Sequence, residues 1–352
     1  MELNYLESVF EELKHSRYPI FIWGAGSMSL EVEKRLIEKG ISFVGKFINT
    51  KLEQAHVVDD QKEIFSLQEI EEKYKKINVV MGHGHYEKAE ELKSHSFIDQ
   101  IYIIPNPYPQ YKGPDLEYVN NNQEKLEYIK KHLADDKSRN VLEKYISVWT
   151  TNDISHLLES DVCVSGIYRL ENLNVSTKES FVDVGAWEGD TVELFLKETK
   201  GDYEYIYAIE PDPHSFEKLE RRFVKRENIS LIQCGMGEKA GELYLGEENS
   251  QSAFLKEEET ERKVKVMTID TLFEEKSVSL IKIFVPFMFY EILKGGENVI
   301  RQNRPRIIVN VAADNKCLLY DTVKWISELG LDYKLALRFD FPMPTRMWLY
   351  AY

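Results

Sequence analysis

Phe181-Val-Asp-Val-Gly-Ala-Trp-Glu-Gly-Asp-Thr191 is the stretch that decides the fold. A short apolar β-type run ends in the acid Asp183, Gly185 follows, and Gly189 stands four residues on. A helix-like stretch, Val192-Glu-Leu-Phe-Leu-Lys197, comes next. Strand, tight glycine turn and helix form the unit with which an α/β sheet cradles a nucleotide-like ligand at the carboxyl ends of its strands. A second β-type run, Tyr205-Ile-Tyr-Ala-Ile209, ends in Glu210-Pro211, where a carboxylate would meet a ribose diol. The spacing asks whether the ligand is a dinucleotide or S-adenosylmethionine.

Each residue of this stretch has a ligand reading and a plainer one. Gly185 allows a sharp turn at φ values other residues avoid. Gly189 lets backbone approach a ligand and opens a helix whose positive end suits the carboxylate of a methionine moiety. Asp183 suits an ammonium or a water network beside it. Together they could equally be an ordinary βα turn. Glu210 can accept both hydroxyls of a ribose, or be the acid before a helix that starts at Pro211-Asp-Pro-His-Ser215. Ala186 and Trp187 complete the donor-side set, and Trp187 could also be a packing residue. Cys234-Gly-Met-Gly237 follows the third β-type run, placing Gly235 and Met236 where an adenine edge would lie, or making a Gly-rich turn. Asp190 and Glu193 have capping-box spacing.

Outward from this core, the β-type runs Phe181–Val184, Tyr205–Ile209, Ser230–Cys234, Leu280–Val285 and Arg306–Val311 alternate with helical segments. Tyr333–Leu337 and Met347–Tyr352 could pair as an antiparallel hairpin at the sheet edge. Seven strands with a reversed last strand is the class I methyltransferase plan, an α/β Rossmann-like fold. Residues 161–352 are therefore read as one such domain. Upstream, Pro19–Trp23, Ile41–Ile48, Ile77–Met81 and Ile101–Ile104 read as β-type runs, with helices over Leu30–Lys39 and Tyr86–Lys93. Residues 1–115 thus read as a smaller Rossmann-like α/β domain, closed by Pro105-Asn-Pro-Tyr-Pro109 and Gly113-Pro114. Residues 116–160 read as a helical connector.

Gly24-Ala-Gly26 resembles the opening of a dinucleotide fingerprint, but Ser29 stands where the third glycine belongs and Asn49 where the acid belongs. A structural turn is the favoured reading over NAD. His83 and His85 are too small a cluster to bind a metal, and no metal site is expected elsewhere.

Hydrophobic residues at 43% and charged residues at 30% describe a soluble globular chain. The formal net charge of −15 leaves no basic footprint for a nucleic-acid partner. The acidic runs Asp59-Asp60 and Glu257-Glu-Glu-Thr-Glu261 read as solvated surface. No apolar run is long enough to span a membrane, and Met1-Glu-Leu-Asn does not open a signal peptide. The three cysteines, Cys163, Cys234 and Cys317, are too few and scattered for a disulfide framework. A reducing cytoplasm is the expected compartment, and a homo-oligomer is left open.

Phe181–Thr191, Tyr207-Ala-Ile-Glu-Pro-Asp-Pro213, Val266-Met-Thr-Ile-Asp-Thr-Leu272 and Lys294-Gly295 resemble the FkbM family of S-adenosylmethionine-dependent methyltransferases. Leu133-Ala-Asp-Asp-Lys-Ser-Arg139 looks like the lead-in of bacterial two-domain members. The first domain resembles Rossmann-like domains attached to enzymes of surface-sugar metabolism. The resemblance implies O-methylation of a sugar, glycan or related small molecule in surface polysaccharide biosynthesis. It makes Asp183, Gly185 and Glu210 donor-site positions.

One departure concerns the acceptor side. The family's fourth strand usually reads Lys-Ile-Asp-x-Glu-Gly-x-Glu, whereas this chain reads Lys282-Ile-Phe-Val-Pro-Phe-Met-Phe289. Phe284, Pro286, Phe287 and Phe289 replace two acids, a glycine and a third acid. The fifth strand often ends in an acid and a histidine; Asn310 and Ala312 stand there. Methylation of a hydroxyl needs a base, a metal or close positioning. Glu188, Asp190, His214 and Asn310 are the candidates for assisting it. The alternative is a catalytically degenerate module that keeps the donor pocket without methyl transfer.

Overall fold

Ile20-Phe-Ile-Trp23 is apolar at every position, the pattern of a strand covered on both faces inside a parallel sheet. A computed structural model describes residues 5–49, 64–84, 86–158, 163–246, 255–256, 262–314 and 316–352. The opening Met1-Glu-Leu-Asn, the acidic runs Asp59-Asp60 and Glu257-Glu-Glu-Thr-Glu261, and His85 lie outside the described residues. The described residues form two compact units. The first draws on 1–116, 143–161 and 341–344, the second on 117–142, 162–340 and 345–352. Along the chain, helices over Leu116–Asn121, Gln123–His132, Asp136–Thr151 and Ser155–Leu158 come between the strands of the first unit and those of the second.

In the first unit the strands are β1 (Ile20–Trp23), β2 (Gly45–Ile48), β3 (Ile64–Ser66), β4 (Ile77–Met81) and β5 (Ile98–Tyr102). They form one parallel sheet of order β3-β2-β1-β4-β5, with β1 central and fully buried. The helix Ser27–Glu38 buries Met28, Val32 and Leu36, spaced at i and i+4 along one face. It begins three residues before the expected Leu30, directly after the glycine turn. Phe10 and Leu13 from the helix Tyr5–Lys14 join Ile22, Val32, Leu36 and Val80 in the core.

The glycines of this unit have a packing explanation. Gly24 has φ +130°, and a Cβ there would lie 2.9 Å from the carbonyl oxygen of Gly82. A Cβ on Gly82 would lie 2.8 Å from Ile22 and Ser29. The loops after β1 and β4 therefore meet backbone to backbone. His83 is half-buried and edge-on to Trp23, with ring centroids 4.6 Å apart.

The second unit holds β6 (Ser180–Val184), β7 (Tyr205–Ile209), β8 (Ile229–Ile232), β9 (Gly235–Met236), β10 (Gly241–Leu245), β11 (Leu255–Lys256), β12 (Lys263–Met267), β13 (Leu280–Ile283), β14 (Arg306–Asn310), β15 (Leu335–Phe339) and β16 (Met347–Ala351). Seven of these form a sheet of order β15-β16-β14-β13-β6-β7-β8. Only its last strand in sequence, β16, runs against its neighbours. The expected seven-stranded Rossmann-like plan, with its edge hairpin, is what the chain folds into. Phe181 and Phe195 stack with centroids 4.4 Å apart, and Tyr168, Leu219, Phe223 and Trp348 pack into the same core. Full burial of each such ring contributes roughly 1.5–3 kcal/mol.

A second sheet of four strands, order β11-β10-β12-β9, is absent from the sequence reading. The third β-type run stops at Ile232; after the exposed Gln233, Gly235 and Met236 pair with Val266 and Met267 of β12. The lead-in segment docks on the sheet edge: the Ala134 N–H donates to the Leu335 carbonyl at 2.8 Å, and Arg338 pairs with Asp135. Leu126 and Ile129 of the helix Gln123–His132 are buried, and that helix packs against Leu319–Glu328.

Candidate functional site

The site is the set of loops that leave the carboxyl ends of β6, β7, β8, β13 and β14. Parallel strands bring those ends to one edge, because every strand of the set points the same way. The loop after β6 is shaped by its neighbours. Gly185 has φ +76°, and a Cβ there would lie 2.3 Å from the carbonyl oxygen of Phe284. Its N–H and that of Ala186 both donate to the Ile209 carbonyl at 3.0 Å. Trp187 is half-buried and also left-handed, at φ +48°. Its N–H donates to Oε2 of Glu210 at 2.9 Å.

Gly189 is the N-cap of the helix Asp190–Glu198, at φ +86°. A Cβ on it would lie 2.2 Å from the ring of Phe223 and 2.9 Å from Leu219. Its lack of a side chain serves the packing of the helix Pro213–Phe223, a role that the reading of Gly189 as ligand clearance did not include. The Asp190 and Glu193 capping box does not form either, since Gly189 caps without a side-chain bond. Asp190 is exposed in the first turn, and Glu193 pairs with Arg222 at 2.6 Å.

Asp183 is wholly buried and holds no oxygen toward the loop opening without a partner. Oδ1 takes the ammonium of Lys282 at 2.7 Å and Oδ2 accepts from the Thr191 hydroxyl at 2.6 Å. Burial pushes its carboxyl above the usual carboxylate range, against the pull of Lys282 and then Thr191. Lys282 also donates to the Gly185 carbonyl at 2.9 Å. The sequence reading gave Lys282 no role. Its signal was a charged residue within the buried run Leu280-Ile-Lys-Ile283, whose strand register sets Lys282 beside Asp183.

Glu210 follows β7 and is 7% exposed. Oε1 accepts from the Asp212 N–H at 2.9 Å, as Oε2 does from Trp187. Burial raises its carboxyl to about 7, with the Asp212 and Trp187 N–H groups pulling the other way. Pro211 is half-buried, and Asp212 caps the helix Pro213–Phe223 while pairing with Arg262. Gly235 and Met236 are buried in β9 beside β12.

The candidates for assisting transfer are placed differently. Glu188 is tied to Lys218 at 2.7 Å. His214 is exposed in the first turn of its helix. Asn310 is engaged at both ends: Nδ2 donates to the Thr345 carbonyl at 3.1 Å, and Oδ1 accepts from Ala312 and Ala313 at 3.2 and 2.9 Å. It shapes the turn after β14.

On the acceptor side, Phe289 is fully buried as the first residue of the helix Phe289–Lys294, so it belongs to the core and not to a pocket wall. Phe284, Pro286 and Phe287 are half-buried. The guanidinium of Arg346 lies 4.9 Å from the centroid of the Phe284 ring, Trp348 meets that ring edge-on at 5.3 Å, and Arg346 is ion-paired with Asp340. Phe287 sits at φ +65° with its N–H on the Ala313 carbonyl at 3.2 Å. Sequence reasoning missed Arg346, which lies far from Phe284 along the chain. Among the described residues no group of three or more His, Cys, Asp or Glu is placed to hold a metal, and no helix is long and apolar enough to cross a membrane.

The Methyltransferase FkbM domain family matches residues 183–333. Among solved structures, the chain is similar to methyltransferase FkbM from Methylobacillus flagellatus KT, at 18% identity and TM-score 0.64, covering 98% of this chain and 92% of that one. At that identity the likeness shows the fold. Looser likenesses, at TM-scores of 0.30 and 0.33, are to an rRNA methylase from Streptococcus thermophilus (13% identity, 50% and 87% covered) and to Aeropyrum pernix fibrillarin in complex with natively bound S-adenosyl-L-methionine (14% identity, 51% and 69% covered). No curated protein matches the chain.

Proposed function

We propose that this chain, a member of the FkbM methyltransferase family, transfers the methyl group of S-adenosylmethionine to a hydroxyl of a sugar, glycan or related small molecule. The observation that carries the donor assignment is Glu210. Its two carboxylate oxygens each take one backbone N–H, and each keeps a lone pair with which to accept one hydroxyl of a ribose diol. The surrounding residues fit the same ligand. The N-terminus of the helix Asp190–Glu198 has no side-chain cap, which leaves backbone N–H groups for a carboxylate. Gly235 and Met236 follow the neighbouring strand β8, and the reading puts the adenine edge beside them.

When bound, S-adenosylmethionine supplies an electrophilic methyl group. The chain's own residues orient it and shape what approaches. Phe284 and Pro286 stand where the resemblance leads one to expect acids. The site therefore activates its acceptor by holding oxygen and methyl in line, in a wall of Phe284, Pro286 and Phe287 that excludes water. The chemistry is assigned to residues 161–352. Residues 1–115 and the connector 116–160 are accessory parts of a cytoplasmic protein of surface-polysaccharide synthesis. The same Phe284 and Pro286 favour a second reading, a module that keeps the donor and has lost transfer.

Calorimetric titration with S-adenosylmethionine tests the donor assignment, and absence of binding defeats it. Transfer of labelled methyl to a panel of monosaccharide glycosides then separates the two readings. Binding without transfer to any of them favours the second.

Donor affinity should also rise with pH. The folded carboxyl of Glu210, at about 7, lies above its ordinary value of 4.5. In the unliganded protein that shift is stability present below the ordinary value and lost as pH rises through about 7. Two hydroxyls donating into the carboxylate favour its ionised form, so binding at pH 6 must expel a proton and binding at pH 8 need not. Titrations at the two pH values, in buffers of different ionisation enthalpy, are expected to show proton release at pH 6 only. Equal affinity and no release at both would remove Glu210 from the donor site.

A further inference from the structure

We infer that Lys282 is a positioning residue of the donor site: held by Asp183, its ammonium fixes the carbonyl of Gly185 and with it the loop that meets the donor. The inference rests on the donor assignment above. Lys282 and Asp183 are 1% and 0% exposed, and their neighbouring strands set them side by side. Taking an ammonium and a carboxylate out of water is costly, and apolar residues of similar volume are often as stable in such places. Stability alone therefore does not account for the pair.

Its geometry does. The carboxylate of Asp183 joins two elements, with Lys282 on Oδ1 and the Thr191 hydroxyl of the first helical turn on Oδ2. The ammonium joins two more, Asp183 on β6 and the Gly185 carbonyl beyond it. Gly185 is thus held at both its N–H, by the Ile209 carbonyl of β7, and its carbonyl, by Lys282 of β13. Those two bonds fix the peptide planes that lead into Trp187, whose N–H is bonded to Glu210. Two residues beyond Lys282, the carbonyl of Phe284 packs on Gly185, and the Phe284 N–H donates to Val184 at 3.0 Å. One strand therefore supplies both the acceptor-side wall and the anchor of the donor loop. Without the ammonium, the Gly185 carbonyl loses the donor that sets its direction, and the loop can turn while the core stays packed.

The test uses the full chain with Asp183→Asn, Lys282→Met and the double variant. Melting temperature and the Kd for S-adenosylmethionine are read for each. Lys282→Met alone leaves a buried carboxylate unpaired and need not fold. The double variant removes both charges while still offering the Thr191 hydroxyl an acceptor. It is expected to melt within a few degrees of the parent and to bind S-adenosylmethionine about tenfold or more weakly, the loss of one charge-assisted hydrogen bond. Asp183→Asn leaves the ammonium of Lys282 buried without its counter-charge, so it is expected to melt lower than the double variant and, with the ammonium no longer held, to bind more weakly than the parent. A double variant that binds within about twofold of the parent overturns the inference. So does a folded Lys282→Met variant that binds like the parent, since Asp183 would then act on the donor itself. A parent protein that binds no S-adenosylmethionine is a failure of the donor assignment, read from a different sample.

Discussion

Glu210→Ala is expected to raise the Kd for S-adenosylmethionine by about a hundredfold or more. Two charge-assisted hydrogen bonds to a ribose diol are worth at least about 1.5 kcal/mol each, and about 3 kcal/mol is two decades in affinity. The same substitution strips the Trp187 and Asp212 N–H groups of their acceptors. Each buried N–H left unpaired costs about 1–3 kcal/mol, so part of the loss could come through a distorted loop. Glu210→Gln separates the causes, because its amide oxygen still accepts from one N–H while the charge is gone. It is expected to stay folded, to bind about tenfold or more weakly, and to lose the pH dependence of binding between 6 and 8. Isothermal calorimetry reads all three. A glutamine variant with parental affinity and parental pH dependence would mean that the donor's ribose lies elsewhere.

Gly185→Ala should carry the largest structural effect. At φ +76° an L-residue pays about 1–2 kcal/mol for left-handed backbone, and the new Cβ would stand 2.3 Å from the Phe284 carbonyl oxygen. Backbone cannot swing aside as a flexible side chain can, so overpacking adds a further ~1–3 kcal/mol. A total near ~3 kcal/mol lowers the melting temperature of a unit this size by roughly 6–12 °C. Gly201→Ala is the control: its φ is +77°, nearly the same, but nothing lies within 4 Å of its Cβ position. It should lose only the backbone part, about 1–2 kcal/mol. Thermal melts of both variants decide the matter. Equal losses at the two positions would show that the Phe284 carbonyl gives way and that the loop is less tightly held than its geometry indicates. Gly185→Ala should also weaken donor binding, since the peptide held by Ile209 and Lys282 is the one displaced.

The contrast between Gly185 and Gly189 shows how far a glycine can be read from sequence. Both are left-handed, as a strand-turn-helix pattern requires. Each is needed for a different neighbour, the Phe284 backbone in one case and the Phe223 ring in the other. Neither neighbour is near in sequence, so the spacing alone could not separate ligand clearance from packing. Asn310 makes the same point. Its place at the end of a strand where the resembled family often has an acid invites a catalytic reading, and three backbone partners make it a turn residue. Phe289 joins the acceptor side in the sequence reading because it stands where the family pattern has an acid, yet the helix that starts there turns it into the core.

The sequence by itself determined the alternation of buried strands with amphipathic helices, the seven-stranded order's raw material, and the residue types at the donor-side strand ends. Those follow from periodicity, turn chemistry and burial, which act over a few residues and leave their mark locally. The tertiary structure alone decided the four-stranded sheet that takes up Gly235 and Met236, and the aromatic-cation contact of Arg346 with Phe284. It also decided that Asp183 answers to Lys282, a partner 99 residues away. Strand register set that pairing. A buried charge must find a countercharge in space wherever the sheet brings one, and distance along the chain does not enter that requirement.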